Sequence, residues 1–313
     1  MGLVRRNIFP LFGAGTTLAL GIALGAGALQ GDSGGSGAGS LEEANAKLTQ
    51  QVAAVRGSSA FGESLAAAAS ASWLHGQLPG ESVTLIVLPG VSDDRVDATS
   101  DAVKAAGGTV AITAHLADDL LDAGHKTYVS SVATSSLDGA GKVDGAKSKD
   151  PYEQLGSLLG RAYVAQPDRL DFDDIATKID SELQGAKLVT VDGDPAQRGS
   201  LVLVLGSGAH GSDVGVQATS LIAAILVERL AAVSGGALLV TPPTGADAGG
   251  VIGTVRANGA SGKRLSTINV TDGTVAQVSA VYALAASARG KGGNFGVDGS
   301  KTILPPRLAN HAG

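Results

Sequence analysis

The chain has 313 residues, of which 44% are hydrophobic but only 3% aromatic, and a formal net charge of −6. That length allows one large domain or two small ones, with a core built from Ala, Val, Leu and Ile. No basic run is long enough to follow a phosphate backbone, which argues against nucleic acid as a partner. Cys is absent, so a disulfide framework, a thiolate nucleophile and a sulfur-ligated metal site are excluded.

The N-terminal segment predicts a membrane anchor. Residues 8–29 are an uncharged run of 22 residues that follows Arg5 and Arg6. As a helix rising about 1.5 Å per residue, the run would span a hydrocarbon core of about 30 Å. The arginines place its start in the cytoplasm and the rest of the chain outside the cell. The alternative is a cleaved signal peptide, because residues 26–28 (AGA) fit the small-x-small cleavage pattern.

A linker and a helical stalk are expected next. Residues 31–40, GDSGGSGAGS, have the composition of a flexible linker. Apolar residues at spacings of 3, 4, 4 and 3 then predict an amphipathic helix, with Ser40 as its cap and Glu43 at the capping-box position. A second helical stretch, residues 59–75, follows Gly57. Two alternatives stay open: the stalk packs on the domain, or it pairs as a short coiled coil with another helix. The apolar positions are Leu41, Ala44, Leu48, Val52 and Val55.

From residue 82 onward, short apolar runs alternate with helical patterns. Two stretches share the order strand, loop, helix, Gly-Gly, strand, and such βαβ units with continuous apolar strands predict a Rossmann-like parallel sheet with helices on both faces. The predicted strands are residues 83–88, 109–113, 201–205, 237–241 and 266–270. The predicted helices are residues 93–106, 152–164, 172–184, 214–233 and 273–288, with a loop at 139–150. The chain is thus divided into an anchor (1–30), a linker (31–40), a stalk (41–78) and an extracytoplasmic α/β domain (79–313).

A glycine-rich loop is the motif closest to a cofactor site. Residues 206–211, GSGAHG, match GxGxxG between a strand and a helix, as a dinucleotide fingerprint requires. The following strand ends in LVTPP, however, without an Asp or Glu to hold a ribose. We therefore interpret the loop as a tight βα turn and assign no cofactor. Binding of an anion to the N-terminus of the helix stays open.

The acidic and histidine residues are interpreted structurally. Two groups of Asp residues, Asp93-Asp94 and Asp171, Asp173 and Asp174, stand at helix starts, where carboxylates satisfy free N–H groups and the helix dipole. The histidines are scattered without an i, i+4 pair, so each is predicted at the surface and metal ligands stay unassigned. With no catalytic constellation evident, the sequence favours a non-enzymatic protein. The histidines are His75, His115, His125, His210 and His311.

Three stretches carry a resemblance to a known family. LALGIALGAGAL in the anchor, VTLIVLPGVSDDRVDATSDAVKAAGGTV, and LSTINVTDGTVAQVSAVYALAASARGKGGNFGV near the C-terminus resemble the mycobacterial copper transport protein B family. The resemblance covers nearly the whole chain and is most specific in the last stretch. It implies a membrane segment, a coiled-coil stretch, an α/β domain and a role in copper efflux and homeostasis. The GDSGGSGAGS insert and a shortened stalk depart from the family pattern.

A second role is implied by the same resemblance. Some relatives resemble SteB, an envelope protein that partners a peptidoglycan hydrolase through a helical segment during cell separation. The expectations are therefore a copper-homeostasis protein of the envelope, or a binding module for a cell-wall enzyme. The expected partners are the membrane, a protein with a helical segment and, as an alternative, a second copy of this chain. Whether copper contacts the protein directly is left open. One crossing helix is too little for a pore, which favours a device that presents a domain.

Overall fold

The computed structural model describes residues 37–140, 143–165, 169–298 and 301–306, and forms an α/β fold around one eight-stranded sheet. The strand order is β3-β2-β1-β4-β5-β6-β7-β8. The strands are β1 (Ser82–Val87), β2 (Thr109–Leu116), β3 (Val189–Val191), β4 (Leu201–Leu205), β5 (Gly236–Thr241), β6 (Leu265–Asn269), β7 (Asn294–Asp298) and β8 (Lys301–Ile303).

Nine α-helices lie within the described ranges. They are α1 (Gly37–Leu74), α2 (Asp93–Ala105), α3 (Asp118–Leu121), α4 (Lys126–Ala140), α5 (Pro151–Tyr163), α6 (Asp174–Gly185), α7 (Val214–Val233), α8 (Val251–Ala257) and α9 (Thr274–Ala288). Short 3₁₀ turns occupy Ala123–His125 and Pro243–Ala246.

The sheet is parallel except at its two edges. The six inner strands, β2, β1, β4, β5, β6 and β7 in spatial order, pair in parallel. The edge strands β3 and β8 pair antiparallel to their neighbours. Every residue of β1, β4, β5 and β6 is buried. Continuous apolar strands are what a parallel sheet covered on both faces requires, so this prediction is confirmed.

The two predicted βαβ units lie on opposite faces. In the first, β1–α2–β2, the helix packs with α9 and the end of α1 over a core that includes Leu203. In the second, β4–α7–β5, the helix packs with α4, α5, α6 and α8 over a core that includes Val202 and Val204. Alternate residues of β4 therefore serve the two faces, as the side-chain period of a strand dictates.

The stalk differs from its predicted form. Residues 37–74 are one continuous helix, so Ser40 lies inside the helix instead of capping it, and Gly57 does not divide it. The last four residues of the predicted linker, 37–40, therefore belong to this helix. Its first six residues lie outside the described ranges, as do the predicted anchor and Arg5 and Arg6. Glycine costs a helix about 1 kcal/mol relative to alanine. The Ala-rich sequence around Gly57 and Gly62 tolerates that cost.

The C-terminal part of α1 packs along α9, and the two helices run in the same direction. Glu63 contacts Thr274, the backbone of Trp73 contacts Tyr282, and Gln77 contacts Arg289. Because α9 follows β6, its N-terminus lies at the edge of the sheet where the parallel strands end. We call this the loop edge. The 26 residues from Gly37 to Gly62 therefore extend past the loop edge by about 39 Å.

Other differences concern short elements. The sequence did not predict β3, β7, β8, α3, α4 or α8. The predicted loop at 139–150 begins within α4, which ends at Ala140. Among the described helices, α7 alone is long and apolar enough to cross a membrane, yet it packs on the sheet as a core helix.

Candidate functional site

The glycine-rich loop lies where ligands bind in doubly wound sheets. It follows β4 at the loop edge, beside the loop that follows β1, and this is the point at which the strand order reverses. The two loops touch there: a Cβ added to Gly90 would lie 3.4 Å from Cβ of Ser207. Gly90 has a φ of +80°, a conformation that side chains disfavour. The two loops therefore approach each other closely at the position where a doubly wound sheet holds its ligand.

The glycines of the motif are explained by packing. A Cβ on Gly208 would lie 2.5 Å from Oγ1 of Thr244, which donates a hydrogen bond to the Gly208 carbonyl at 2.8 Å. Gly206 packs against Thr241 in the same way, at 3.1 Å. These contacts support the interpretation of the motif as a tight turn between β4 and α7.

The N-terminus of α7 already has a carboxylate. Oδ1 of Asp213 accepts hydrogen bonds from the amides of Gly215 at 2.8 Å and Val216 at 3.3 Å. An external anion at this helix end would compete with Asp213 for the same donors. The anion site that the sequence left open is therefore disfavoured.

A half-buried arginine, which the sequence analysis did not single out, connects the ends of several strands. Arg95 of α2 donates to the Gly206 carbonyl at 2.8 Å and to the Val240 carbonyl at 3.4 Å, and pairs with Asp272 at 2.9 Å. Burial lowers the pKa of the guanidinium, and Asp272 opposes that shift. One cation therefore ties α2 to the ends of β4 and β5 and to the loop before α9. The sequence feature that could have pointed to Arg95 is its position as the one basic residue in the acidic string SDDRVD.

Two clefts flank the contact between the loops. The larger, about 340 Å³, lies between α2 and α9, with Leu205 and Val240 in its floor and Asp94 and Asp272 in its lining. The smaller, about 210 Å³, lies on the other face beside Ser207 and Ser220. Only the first reaches the lower end of the ordinary range for small-molecule sites, about 300–1,000 Å³.

The histidines are not brought together. His115 pairs with Asp192 at 3.2 Å and His210 with Asp247 at 3.8 Å, while His125 lies 3.2 Å from Asp122 and 3.7 Å from Asp119. His75 is exposed just after α1, and His311 lies outside the described residues. Within the described ranges, no three side chains of His, Asp or Glu converge on a position for a metal ion.

The acidic helix starts behave in two ways. Asp173 caps α6 by accepting from the Ala176 amide at 2.9 Å, and it also binds Arg161 at 2.9 Å and Arg198 at 3.3 Å. Burial acts to raise the pKa of Asp173, but the amide and the two arginines outweigh it and hold that pKa below its usual value. Asp174 follows in the first turn of α6, while Asp171 precedes the helix and contributes its carbonyl to Arg198.

The second acidic group only partly matches its prediction. Asp93 and Asp94 lie in the first turn of α2, where they complement the helix dipole. The residue at the cap position is Ser92, and its side chain makes no capping hydrogen bond.

Comparison with known proteins identifies the family. Residues 1–306 match the model of the family described as "Copper transport outer membrane protein, MctB". Proteins named copper transporter MctB from Mycobacterium bovis and Mycobacterium tuberculosis are 26% identical over 242 residues, covering 76% of this chain and 76% of theirs. The protein of that name from Mycobacterium leprae is 28% identical over 245 residues, covering 75% of this chain and 76% of its own. Because the family model covers almost the whole sequence, the chain belongs to the MctB family.

Proposed function

We propose that this chain is a non-enzymatic, single-pass envelope protein that takes part in copper efflux and homeostasis, with its α/β domain outside the cell. The family description and the relatives named as copper transporters support the copper role. The uncharged residues 8–29 after Arg5 and Arg6 support the topology.

The observation that carries the proposal is the direction of α1. From Gly37 this helix runs without interruption to its contact with α9, and its N-terminal part leaves the domain at the loop edge. The loop edge then faces the membrane, and residues 37–62 contribute about 39 Å to the separation if α1 stands upright. Such an arrangement suits a protein that presents a folded domain at a fixed height, and a single anchoring helix does not itself enclose a path for an ion.

The available donor atoms favour an indirect role toward copper, which is the cargo. Soft thiolate and thioether ligands suit Cu(I), but the chain has no Cys and its one Met is Met1. Imidazole and carboxylate suit Cu(II), and the described residues offer them in small separate groups, such as His125 with Asp119 and Asp122. We therefore propose that the protein acts on copper through other envelope components.

Deletion of the gene followed by copper challenge tests this function. The deletion strain should grow poorly at copper concentrations that the parent tolerates, and the full chain should restore growth. A version with residues 8–29 removed should not restore it, because the domain would lose its position. Normal copper tolerance of the deletion strain would refute the copper role.

A second candidate function is a binding module for a cell-wall enzyme, as in SteB-type proteins. The uncovered apolar face of α1, where Leu48 is 48% exposed and Val52 is 40% exposed, favours a role in protein binding. Microscopy of the deletion strain separates the two candidates. Unseparated daughter cells with normal copper tolerance would favour the second, and copper sensitivity with normal separation would eliminate it.

A further inference from the structure

Three apolar residues of α1, at positions 48, 52 and 55, lie in line with the surface by which this helix packs on the domain. Positions 48, 52, 55 and 59 lead into 63, 66, 70 and 74 with spacings of 4, 3, 4, 4, 3, 4 and 4. The side chains along this line are Leu48, Val52, Val55, Ser59, Glu63, Ala66, Ser70 and Leu74. This 11-residue repeat keeps all the positions on one face of a nearly straight helix. Its last part is covered by α9: Ala66 and Leu74 are buried, and Glu63 binds the start of α9. Toward the N-terminus of α1, Leu48 is 48% exposed and Val52 is 40% exposed, while Val55 is half-buried.

The space beside this uncovered stripe lies in line with α9, just beyond the loop edge. The face of α1 that contacts α9 also borders this space. The N-termini of α2 and α9 form the end of the space. The cleft between these two helices opens there. A helix placed along the stripe would therefore end against the domain at Gly273.

Charge at the end of this space indicates which end of a helix fits. Asp94 and Asp272 line this cleft together with Arg95, which pairs with Asp272. Asp93 lies in the same first turn of α2 as Asp94, and the Glu63 carboxylate lies at the start of α9. The N-termini of α2 and α9 also present the positive ends of their dipoles, which favour the negative end of another helix. A helix C-terminus with Lys or Arg in its last turn complements both features. The negative end of its dipole faces the N-termini of α2 and α9, and its cations face the carboxylates.

A second copy of this chain does not fit the space. In the envelope both copies would rise from the same membrane, so their α1 helices would run parallel. From Glu63 onward, each α1 carries its own α9 and domain on the face that holds the stripe. The stripes of two copies could therefore contact each other only if the two α1 helices moved far enough apart to leave room for two copies of α9.

We propose that the stripe at Leu48, Val52 and Val55, with the acidic loop edge, is a docking surface for a juxtamembrane helix of another protein. That helix is amphipathic, runs away from the membrane parallel to α1, and ends in a basic turn. An N-terminal membrane anchor would give it this direction. This inference rests on the single-pass topology in the proposed function.

Direct binding to the full chain in lipid nanodiscs tests the inference. The probe is a fluorescent 22-residue helical peptide with leucines at 3-4-4 spacing and three lysines in its last turn. The control peptide has the same composition with the lysines in its first turn. Fluorescence anisotropy should show the first peptide binding about tenfold more tightly, and Asp94→Asn should reduce that preference.

Two matched variants locate the binding face. Val52→Asp lies on the stripe and should weaken binding by about tenfold or more. Ala46→Asp adds the same charge to the opposite, exposed face of α1 and should leave binding unchanged. Equal binding of the two peptides, or equal effects of the two variants, would overturn the proposal.

Self-association is tested separately. Because the chain has no Cys, Val52→Cys and Ala46→Cys each introduce a single thiol. A disulfide dimer that forms rapidly in membranes through position 52 but not through position 46 would show that a second copy covers the stripe and would overturn the proposal. Copper tolerance of strains carrying Val52→Asp is measured independently, so failed peptide binding leaves the test of the copper role intact.

Discussion

Glu63 of the stalk caps a helix that begins 211 residues later in the sequence. Its Oε2 accepts a hydrogen bond from the backbone amide of Thr274 at 2.7 Å, and α9 has no capping side chain of its own. A Cβ on Gly273 would lie 2.7 Å from the same carboxylate. This contact therefore helps to set the direction of the stalk relative to the domain. In the proposed single-pass topology, that direction puts the loop edge on the membrane side.

Removal of this cap should loosen the stalk. Glu63→Ala is expected to lower the free energy of unfolding by about 1 kcal/mol, the usual cost of a lost N-cap. Urea denaturation of the full chain, followed by circular dichroism, measures the change. Glu43→Ala, at an exposed position of the same helix, is the control and should have little effect. Equal effects of the two substitutions would show that Glu63 does not hold α9.

Arg95 should contribute more to stability than an exposed cation on the same helix. Arg95→Met leaves the Gly206 and Val240 carbonyls without this donor, so we expect a loss of about 2–4 kcal/mol. Lys104→Met removes an exposed pair with Asp101 at 3.3 Å and should cost less than about 1 kcal/mol. Thermal denaturation of both variants decides the matter, and similar melting temperatures would contradict the role assigned to Arg95.

The lowered pKa of Asp173 predicts a pH-dependent contribution to stability. A carboxyl whose pKa is lower in the folded state stabilises the fold at pH values above its unfolded pKa, which is ordinarily 3.8 for Asp. This contribution is lost as the pH falls through the folded pKa. Asp173→Asn should therefore destabilise the protein at pH 7, and its difference from the parent should shrink below about pH 4.

Chemical denaturation at pH 7 and at pH 3 measures this effect. Asp174→Asn, at the exposed neighbouring position, serves as the control. A destabilisation by Asp173→Asn that stays constant across the two pH values would show that the Asp173 carboxylate is not responsible.

The glycine-rich loop should behave as a structural turn. Gly208→Ala is expected to destabilise the fold, because its Cβ would meet Oγ1 of Thr244 at 2.5 Å. In the Thr244→Ala background the same substitution should cost less, which a double-mutant cycle measures.

Millimolar NAD or ATP should not raise the melting temperature of the protein, because the loop is not expected to bind either nucleotide. A ligand that binds the folded state raises the melting temperature by mass action. A nucleotide-dependent rise would restore the cofactor interpretation.

The long central elements were predictable because their signals are local. The predicted bounds of β4 and α7 agree with the structure, since an apolar run and a long apolar helix are each set off by glycines. α4 was missed because KTYVSSVATSSLDGA is rich in Ser and Thr, which weakens its helical pattern. β3 and β8 have three residues each, too few for a periodic pattern.

The contacts that define the candidate site were beyond sequence reasoning. Arg95 reaches carbonyls 111 and 145 residues away, and Glu63 reaches an amide 211 residues away. Only the fold brings such groups together. The continuity of α1 was also missed, because local glycine signals at 37–39 and Gly57 predicted a linker and a break, while the surrounding alanines and the docking on α9 favour the helix.

The cellular copper content tests the central claim most directly. Deletion and parent strains are grown in sublethal copper, and cell-associated copper is measured by mass spectrometry, with the full chain restored in a third strain. The account predicts that the deletion strain accumulates several times more copper than the parent and that the full chain reverses the increase. Equal copper contents in the deletion and parent strains would contradict it.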